Sequence, residues 1–336
     1  MRLVLTDSFD PYYNLACEEA LLRNSTEDVF MLWQNAPTVV IGRNQNVYAE
    51  VDLAYTEAHG INVVRRITGG GAVYHDLGNV NFSFMTSRDK AEVLDFEFFT
   101  RPIVKALRTL SIDAFLSGRN DLLVRTESRT ESGETETAEL KFSGNAMTAT
   151  DTRILLHGTL LFDSDLSVLE KTLRPDEEKL RKRAIKSVRS RVTNLRPLLR
   201  EDMTTDGFFR YLVSFIEREF TCRAEIAEKA SVEATGLPAR NRTNDWISGR
   251  RGTYDAERRC RFDSGLVVLA YRIREERMAD VRIEGDFFGK KDVTELAEKL
   301  NGVKCGRAAA QEALAGIDVS EYIQGVDTDD FVTQLF

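Results

Sequence analysis

The sequence predicts an α+β protein of two domains, and three observations support this. The chain has 336 residues, which is long enough for two domains of ordinary size. Short apolar runs typical of strands alternate with segments whose apolar residues recur at helical spacing. A polar stretch, 236–252, precedes a tail of about ninety residues, enough for a small α+β domain. We therefore expect a first domain at 1–243, a linker at 244–252 and a C-terminal domain at 253–336.

The composition is that of an ordinary globular protein, with 42% hydrophobic and 30% charged residues. No apolar run approaches the roughly 20 residues that span a bilayer, and the start of the chain turns polar too soon for a secretory signal. The net charge of −8 argues against general affinity for nucleic acid. The 4 cysteines lie far apart, which favours a reducing cytoplasm over a disulfide framework or a zinc site.

The first elements carry clear local signals. Asp10 followed by Pro11 is typical of an N-cap and a first helical residue. Residues 29–33 and 38–41 are short apolar runs typical of strands, and the segment 34–37 between them fits a hairpin turn.

Later elements follow the same two periodicities. Apolar spacings of three and four predict helices at 96–110 and 208–216, and 154–162 is typical of a strand. In the tail, 265–274 and 278–283 fit a hairpin, and two segments, 296–300 and 309–314, are helical in pattern.

Three polar segments interrupt these elements. Residues 125–139 are rich in Ser, Thr and Glu, which indicates a mobile loop or a frayed hairpin tip. The stretch 236–252 is typical of a linker, which Trp246 can anchor. Between Arg174 and Arg191 there are eight basic and three acidic side chains. They form either a solvated helix face or a basic patch for an acidic partner or a phosphate-bearing ligand.

The most informative segment reads RRITGGGAVYHD, at 65–76. Three adjacent glycines lack Cβ atoms, so a ligand can approach their main-chain N–H groups closely. Arg65 and Arg66, just before them, carry planar cations suited to phosphate or carboxylate. A β-branched run at 61–67 leads into the glycines, and an alternating run at 80–84 follows them. We therefore expect a loop between two strands that binds an anion.

The same segment has a plainer interpretation, a flexible hairpin turn flanked by surface arginines. It is not a Walker A loop, because no Gly-Lys-Ser/Thr and no helix pattern follow. It also lacks the Rossmann spacing of glycines. The glycines alone leave both interpretations open.

Four further motifs accompany the glycine loop: GRNQN at 42–46, GRND at 118–121, KFSG at 141–144 and HGTL at 157–160. Each is a weak signal alone. In this order, with YYNLACEEALLRN at 12–24 and SVRSRVTNL at 187–195, the set closely resembles the lipoate–protein ligases. The match runs from about Asp7 to Leu195, and the tail is consistent with the small C-terminal domain of that family.

The resemblance implies a catalytic domain of the biotin/lipoate ligase type, related to class II aminoacyl-tRNA synthetases, with helices flanking a mixed or antiparallel sheet. It implies a reaction in two steps. ATP and lipoate, with Mg²⁺, give lipoyl-AMP and pyrophosphate. A specific lysine of an apo lipoyl domain then attacks the adenylate, the acceptors being 2-oxoacid dehydrogenase E2 subunits and the glycine-cleavage H protein. No nucleic acid and no membrane take part.

The resemblance also implies the site residues, with Lys141 as the catalytic residue that contacts both the lipoate carboxyl and the α-phosphate. Carboxylate attack builds negative charge on phosphoryl oxygens, which cations and main-chain N–H groups stabilise. The residues expected to bind ATP and lipoyl-AMP are Lys141, Arg66, Gly69, Gly70, Gly71, Ala72, Val73, Tyr74, Asn79 and Asp121. Arg66, Gly71 and Lys141 are also expected to contact lipoate, and Asp121 is the expected metal ligand.

The remaining expectations concern supporting residues. His75 and Asp76 are expected to hold the loop by hydrogen bonds, and His157 to be packed within a strand. A lipoyl tail needs an apolar slot, because burial stabilises it by roughly 0.8 kcal/mol per CH₂. The expected slot residues are Leu15, Ala16, Trp33 and Val73. The basic segment 174–191 is expected to cover the adenylate as a lid or to steer acidic lipoyl domains.

Other functions remain as alternatives. A lipoyl or octanoyl transferase of the same fold would use a nucleophilic cysteine, and only Cys17 lies in the motif-bearing half. That residue sits in a helical pattern that indicates a buried, inert thiol. A biotin ligase has a different loop pattern. A non-catalytic relative would bind lipoate without releasing pyrophosphate.

Overall fold

The computed structural model describes residues 1–118, 120–129, 135–173, 192–249 and 252–336. Within these ranges, no helix combines the length and the apolarity that crossing a bilayer requires. The basic segment 174–191 lies outside the described residues, and so do residues 130–134 of the polar segment 125–139.

The strands form three sheets. An eight-stranded mixed sheet has the order β11-β1-β2-β6-β10-β9-β8-β7 and consists of β1 (Arg2–Leu5), β2 (Val29–Trp33), β6 (Asn79–Ser87), β7 (Ala114–Ser117), β8 (Asp121–Arg129), β9 (Thr135–Ala149), β10 (Arg153–Leu161) and β11 (Ala224–Ile226). A small sheet of order β4-β3-β5 consists of β3 (Thr38–Ile41), β4 (Asn62–Arg65) and β5 (Val73–His75). The third sheet is antiparallel and consists of β12 (Ala256–Phe262), β13 (Gly265–Arg274) and β14 (Arg277–Gly285).

The helices of the first domain are α1 (Pro11–Asn24), α2 (Val47–Glu50), α3 (Leu53–Ala58), α4 (Phe96–Thr109), α5 (Leu166–Thr172), α6 (Thr205–Phe220) and α7 (Lys229–Ala234). They are followed by α8 (Leu237–Asn241) and α9 (Asn244–Ile247). The tail contains α10 (Val293–Leu300), α11 (Arg307–Ala313) and α12 (Thr328–Leu335). Asp10 caps α1 by accepting from the Tyr12 main-chain N–H, and Pro11 is the first helical residue, as predicted.

The two faces of the eight-stranded sheet differ in composition because side chains alternate along a strand. Along β6, Val80, Phe82 and Phe84 join the main apolar core, which α4 and α6 cover. Asn79, Asn81 and Ser83 point the other way. That second face is covered by α1 and the small sheet, through a separate apolar cluster around Trp33. The predicted mixed sheet with flanking helices is confirmed.

The tail folds as a small α+β unit with its own core. Leu269, Ile283, Leu296 and Phe331 belong to one buried cluster that joins the third sheet to its three helices. The predicted hairpin is present as β13 and β14, whose register ends at Arg274 and Arg277.

Three sequence predictions need correction. The strands at 29–33 and 38–41 exist but belong to different sheets, so 34–37 is not a hairpin turn. The stretch 236–252, expected to be an irregular linker, contains α8 and α9. Residues 125–139 are largely strand, because β8 and β9 pair as a hairpin from Arg125 opposite Glu139 onward. For the described residues, this pairing supports the hairpin interpretation and contradicts an irregular loop, while residues 130–134 lie outside the described part of the chain.

Candidate active site

The glycine loop and the eight-stranded sheet enclose a cavity of about 110 Å³. The sheet contributes side chains from β2, β6, β9 and β10, and the loop contributes main chain from Gly70 to Val73. Most of the polar lining side chains come from β6, β9 and β10, whereas α1 contributes the apolar Leu15. The residues that line it are Leu15, Trp33, Val40, Arg66, Gly70, Gly71, Ala72, Val73, His75, Asn81, Asn120, Lys141, Gly144, Asn145, Ala146, His157, Gly158, Thr159 and Phe288.

The glycine loop lies between β4 and β5, as predicted. Gly70 has a φ of +85°, which disfavours residues with a Cβ. It also packs closely against the preceding motif, because a Cβ on Gly42 would lie 2.1 Å from the Gly70 carbonyl oxygen. A Cβ on Gly71 would meet open space. The glycines at 42 and 70 therefore permit the loop path, while Gly71 faces the cavity.

Arg66 holds the loop from inside. Its guanidinium donates to the carbonyls of Gly69 (2.7 Å), Gly71 (2.8 Å) and Val40 (3.1 Å), and its Nε donates to the Thr68 hydroxyl. Burial lowers the pKa of Arg66 to about 10, so the side chain stays cationic at neutral pH. The Arg66 guanidinium, which was expected to face a phosphate, thus donates most of its hydrogen bonds to main-chain carbonyls. Its positive charge lies directly behind the cavity wall.

Arg65, its neighbour, has a purely structural set of contacts. Its guanidinium donates to the carbonyls of Gly42, Arg43 and Gln45. It also donates to the carbonyl of Ile247 at 2.7 Å, which ties α9 to the loop. Two adjacent arginines therefore anchor two different loops, because successive side chains of a strand point to opposite faces.

Lys141 is placed by an irregularity in β9. The pairing with β8 shifts between Leu122 and Leu123, so Phe142 is an extra residue in the strand. The ammonium lies over Gly144, where a Cβ would be only 3.3 Å from Nζ. The side chain is 36% exposed, so it reaches both the cavity and solvent.

Asp121 is the partner of Lys141. The carboxylate Oδ1 accepts from Nζ at 2.8 Å, and the Asp121 side chain is 37% exposed. The two residues predicted separately are therefore brought together at one edge of the cavity. No group of three or more potential metal ligands occurs among the described residues.

Two asparagines that the sequence analysis did not identify as site residues line the same edge of the cavity. The Asn120 and Asn145 side-chain amides each donate to the main-chain carbonyl of the other residue, at 2.8 and 2.9 Å. The Asn145 side chain packs on Gly158, where a Cβ would lie 2.0 Å from its Oδ1. Asn120 belongs to the GRND motif and Asn145 directly follows the KFSG motif, but the sequence alone does not show that the two residues meet.

A buried hydrogen-bond chain runs behind the cavity. His157 Nδ1 contacts both oxygens of Glu18 at 2.9 and 3.0 Å, and Nε2 contacts the Thr68 hydroxyl at 2.9 Å. Glu18 also accepts from the Ser83 hydroxyl at 2.6 Å. The chain reaches Arg66 through Thr68. His157 is a packed strand histidine, as predicted, and it connects the glycine loop to α1.

The apolar wall agrees with most of the predicted slot. Leu15, Trp33 and Val73 line the cavity, and Val40 joins them. Ala16 does not line it, although this fully buried residue belongs to the same apolar cluster as Leu15 and Trp33. The helical phase between residues 15 and 16 separates a wall residue from a core residue.

The other predicted residues lie at or near the loop. Ala72 lines the cavity, whereas the Tyr74 side chain points into a separate apolar cluster. Asn79 is fully buried beside the cavity and donates to Asn81 at 2.9 Å. Asp76 accepts from the main-chain N–H groups of Gly78 and Asp165, so it holds the loop as expected.

The tail contributes one wall residue that the sequence did not indicate. Phe288 is 2% exposed, stacks edge-on with Phe96 at 5.8 Å, and would meet a Cβ on Gly70 at 2.7 Å. The Gly70 N–H donates to the Phe287 carbonyl at 3.1 Å. An ion pair between Arg43 and Asp292, 2.5 Å long and partly exposed, supports the same contact. The two domains therefore meet at the glycine loop.

Cys17 is fully buried and is not among the residues that line the cavity. Burial raises the pKa of its thiol to about 12, so the sulfur is protonated at neutral pH. The residue is an inert thiol, as expected.

Comparison with known families agrees with this geometry. Residues 10–217 match the lipoyl protein ligase A/B catalytic domain, and residues 252–335 match the bacterial lipoate protein ligase C-terminus. The chain is 36% identical to lipoate–protein ligase 1 of Staphylococcus aureus, over 96% of each chain. It is 35% identical to the lipoate-protein ligase LplJ of Bacillus subtilis, over 97% of each chain.

Solved structures share the fold. LipL1 of Plasmodium falciparum, crystallised with lipoate, has a TM-score of 0.77 at 22% identity, covering 99% of this chain and 97% of that one. A lipoate-protein ligase A bound with ATP has a TM-score of 0.58 at 26% identity, covering 74% and 98%. A bi-partite ligase from Thermoplasma acidophilum, studied with its E2 lipoyl domain, has a TM-score of 0.60 at 28% identity, covering 76% and 98%. The protein belongs to the lipoate–protein ligase family and has its two-domain architecture.

Proposed function

We propose that this protein is a lipoate–protein ligase that activates lipoate with ATP and transfers the lipoyl group to a lysine of an apo lipoyl domain. The observation that carries the proposal is the meeting of Lys141, the glycine loop and an apolar slot at one cavity, in a chain of this family. The relatives' names and the solved ligase with ATP support the substrates.

In the first step, a lipoate carboxylate oxygen attacks the α-phosphorus of ATP. The new O–P bond forms as the bond to the bridging oxygen breaks, and pyrophosphate leaves with that electron pair. Lys141 Nζ leaves its ion pair with Asp121 and places its positive charge against the lipoate carboxylate and the phosphoryl oxygens. Gly71, Ala72 and Val73 line the same cavity from the loop, and their main-chain N–H groups would add to this stabilisation. Gly69, Gly70 and Tyr74 keep that main chain in position.

In the second step, the neutral amine of the acceptor lysine attacks the carbonyl carbon of lipoyl-AMP. The amide bond forms, the acyl C–O bond breaks, AMP leaves as the phosphate anion with that electron pair, and the proton that the amine nitrogen loses passes to solvent. The Lys141 charge again stabilises the leaving oxygen. Arg66 acts from behind the loop, because it fixes the carbonyls of Gly69 and Gly71 and contributes a buried positive charge.

The Asp121 carboxylate fits the requirement for Mg²⁺ that accompanies ATP. Mg²⁺ in such sites is held by one or two carboxylates together with phosphate oxygens and water. When bound, it neutralises phosphate charge, and Asp121 is the residue at this edge of the cavity that would hold it. Asn79 supports the site through its hydrogen bond to Asn81.

The proposed acceptors are E2 lipoyl domains and the glycine-cleavage H protein, supported by the Thermoplasma ligase studied with its E2 lipoyl domain. Val192, the first described residue after the basic segment 174–191, forms a β-bridge with Lys141. This favours a role for the segment as a lid or in steering acidic domains. The four free cysteines support a cytoplasmic setting. We keep 1–243 as the catalytic domain and 253–336 as the accessory domain.

The basic segment has its own test. The triple change of Arg181, Arg183 and Lys186 to Glu should slow at least one half-reaction: pyrophosphate release if the segment is a lid, or transfer to the lipoyl domain if it steers. Unchanged rates of both would remove both roles.

The decisive experiment measures lipoate-dependent pyrophosphate release in three variants. Lys141→Ala should lower the rate by about 10²- to 10³-fold, because a charge at the reacting phosphate is lost. Lys90→Ala, which removes an exposed lysine paired with Asp28, is the matched control and should leave it unchanged. Cys17→Ser should retain the rate.

The alternatives predict other outcomes. A transferase acting through Cys17 would lose activity in Cys17→Ser and would not need ATP. A non-catalytic relative would bind lipoate without releasing pyrophosphate in any variant.

A further inference from the structure

The slot ends at two buried polar side chains that the proposed reaction does not use. His75 is 3% exposed and Asn81 is 1% exposed, and both line the cavity. His75 Nε2 and Asn81 Nδ2 have no hydrogen-bond partner among the described residues. A buried polar atom without a partner costs about 1–3 kcal/mol, so two of them at one place indicate a ligand group.

These atoms lie at the far end of the slot from Lys141. Asn81 on β6 is opposite both Trp33 on β2 and Thr159 on β10, and Gly158 on β10 is opposite Asn145 on β9. Two strand spacings of about 4.8 Å therefore separate the strand of Lys141 from Asn81. That span of roughly 10 Å is comparable with the length of a lipoyl chain whose carboxyl lies at Lys141. The chain's far end then meets His75 and Asn81.

The proton of His75 is on Nε2. The Asn14 amide nitrogen donates to the carbonyls of Ser8 and Gln34, at 2.9 and 2.8 Å, which fixes it as a nitrogen. It also donates to the Asn35 Oδ1 at 3.0 Å, so the Asn35 nitrogen is left to donate to His75 Nδ1 at 3.1 Å. Nδ1 is therefore the acceptor and Nε2–H is the free donor.

Nothing near His75 favours a second proton. The groups that face it are the Asn35 amide, the Trp33 ring at 5.9 Å, and the positive charge of Arg66. Burial, with the added effect of His157 and Arg66, lowers the pKa of His75 to about 3. The ring is a neutral donor at the end of the slot.

The end of the slot distinguishes between acyl chains of similar length. A methyl-ended chain such as octanoyl offers no acceptor to either of these two donors. The dithiolane of a lipoyl group brings two sulfur atoms, which accept weak hydrogen bonds and make favourable contacts with an aromatic edge such as that of Trp33.

We propose that His75 and Asn81 are specificity-determining residues, which select a dithiolane-ended acyl chain over a methyl-ended one by donating to its sulfurs. The proposal rests on the proposed ligase function and deepens it. It assigns lipoate selection to two side chains opposite the catalytic lysine.

The first test needs no variant. Pyrophosphate release is measured with lipoate, with octanoate, and with the cyclopentane analogue in which both sulfurs of lipoate are replaced by CH₂. We expect the kcat/KM for lipoate to exceed that for the analogue by about five- to thirtyfold, because the shapes match and only the acceptors differ. Equal values for lipoate and the analogue overturn the proposal.

The second test uses His75→Phe and Asn81→Leu, each checked by its thermal melt. The preference for lipoate over the analogue should fall several-fold in each, while the rate with octanoate is kept or increased. Val40→Ala, which enlarges the same slot without removing a polar group, is the matched control and should change all three acids alike. An unchanged preference in both variants contradicts the proposal.

These measurements distinguish a failure of the proposed ligase function from a failure of the proposed selection of lipoate. If the wild-type protein releases no pyrophosphate with any acid, the ligase function itself fails. If release with lipoate is rapid but the analogue serves equally well, only the selection by His75 and Asn81 fails.

Discussion

The two faces of the eight-stranded sheet serve different purposes, and β6 shows this within one strand. Val80, Phe82 and Phe84 lie in the main core, each at most 5% exposed. On the opposite face, Asn79 and Asn81 each keep one polar atom without a partner among the described residues. The aromatic face is complete without a ligand, whereas the cavity face is not.

The two faces contribute to the free energy of unfolding with opposite signs. Burial of large apolar side chains stabilises the fold by several kcal/mol for each residue. Each unpartnered polar atom on the other face costs about 1–3 kcal/mol. A sheet that is secured on one side can hold an incompletely bonded site on the other.

The largest effect should come from the aromatic face. Phe30→Ala removes a fully buried ring that contacts Phe84 and Phe220, and should lower the free energy of unfolding by about 3–5 kcal/mol in urea titrations. Phe9→Ala, the same change at a side chain that is 53% exposed, is the control and should alter it by less than about 0.5 kcal/mol. A loss below about 1 kcal/mol for Phe30→Ala would contradict the assignment of this face.

A smaller effect is expected on the cavity face. The Ser83 hydroxyl accepts from the Trp33 indole at 3.0 Å and donates to Glu18 at 2.6 Å. Ser83→Ala leaves the indole N–H buried without an acceptor, so we expect a loss of about 1–3 kcal/mol in the same titrations. Ser231→Ala removes an exposed hydroxyl bonded to Glu228 and should be nearly neutral. Equal effects of the two changes would show that the polar chain is not coupled to stability.

The third effect concerns pH. The pKa of His75 is about 3 when folded, against an ordinary value of 6.5. Below that ordinary value the unfolded chain binds a proton that the folded protein does not. Stability should therefore fall as the pH decreases, by at most ~1.4 kcal/mol per pH unit from this group.

His75→Gln removes that contribution, so its unfolding free energy should decline less steeply than that of the wild type between about pH 6.5 and pH 4. His59→Gln changes an exposed ring and is the control, with the wild-type slope expected. Parallel curves for His75→Gln and the wild type would mean that the ring is not held neutral by the fold.

Individual helices and strands could be predicted from the sequence, because they depend on residues that are close together in the chain. The Asp10 cap with Pro11 predicted the start of α1, and the alternation from Val80 to Phe84 predicted β6. The strands at 29–33 and 38–41 were also correct within their bounds. The pairing between them was not, because strand pairing depends on the whole sheet and not on the four residues that connect two runs.

The candidate site was accessible in part. Glycines, arginines and a lysine in a fixed order indicated the loop at 65–76 and Lys141. Phe288 was not accessible, because nothing in its own segment marks a residue that crosses to another domain. Asn81 and Asn145 were missed for a related reason: an asparagine has a role in the site only through what the fold places opposite it.

By itself, then, the sequence determined the family and the position of the glycine loop between two strands, and it singled out Lys141 as the candidate catalytic residue, since these depend on residue types at short spacings. The tertiary structure decided the direction of each charge and polar atom. In the folded protein, Arg66 donates to the glycine loop from behind and Arg65 donates to α9. Lys141 forms an ion pair with Asp121. His75 and Asn81 line the slot, and each has one polar atom without a partner among the described residues. The physical reason is that hydrogen-bond satisfaction is settled by neighbours distant in the chain, which no local pattern encodes.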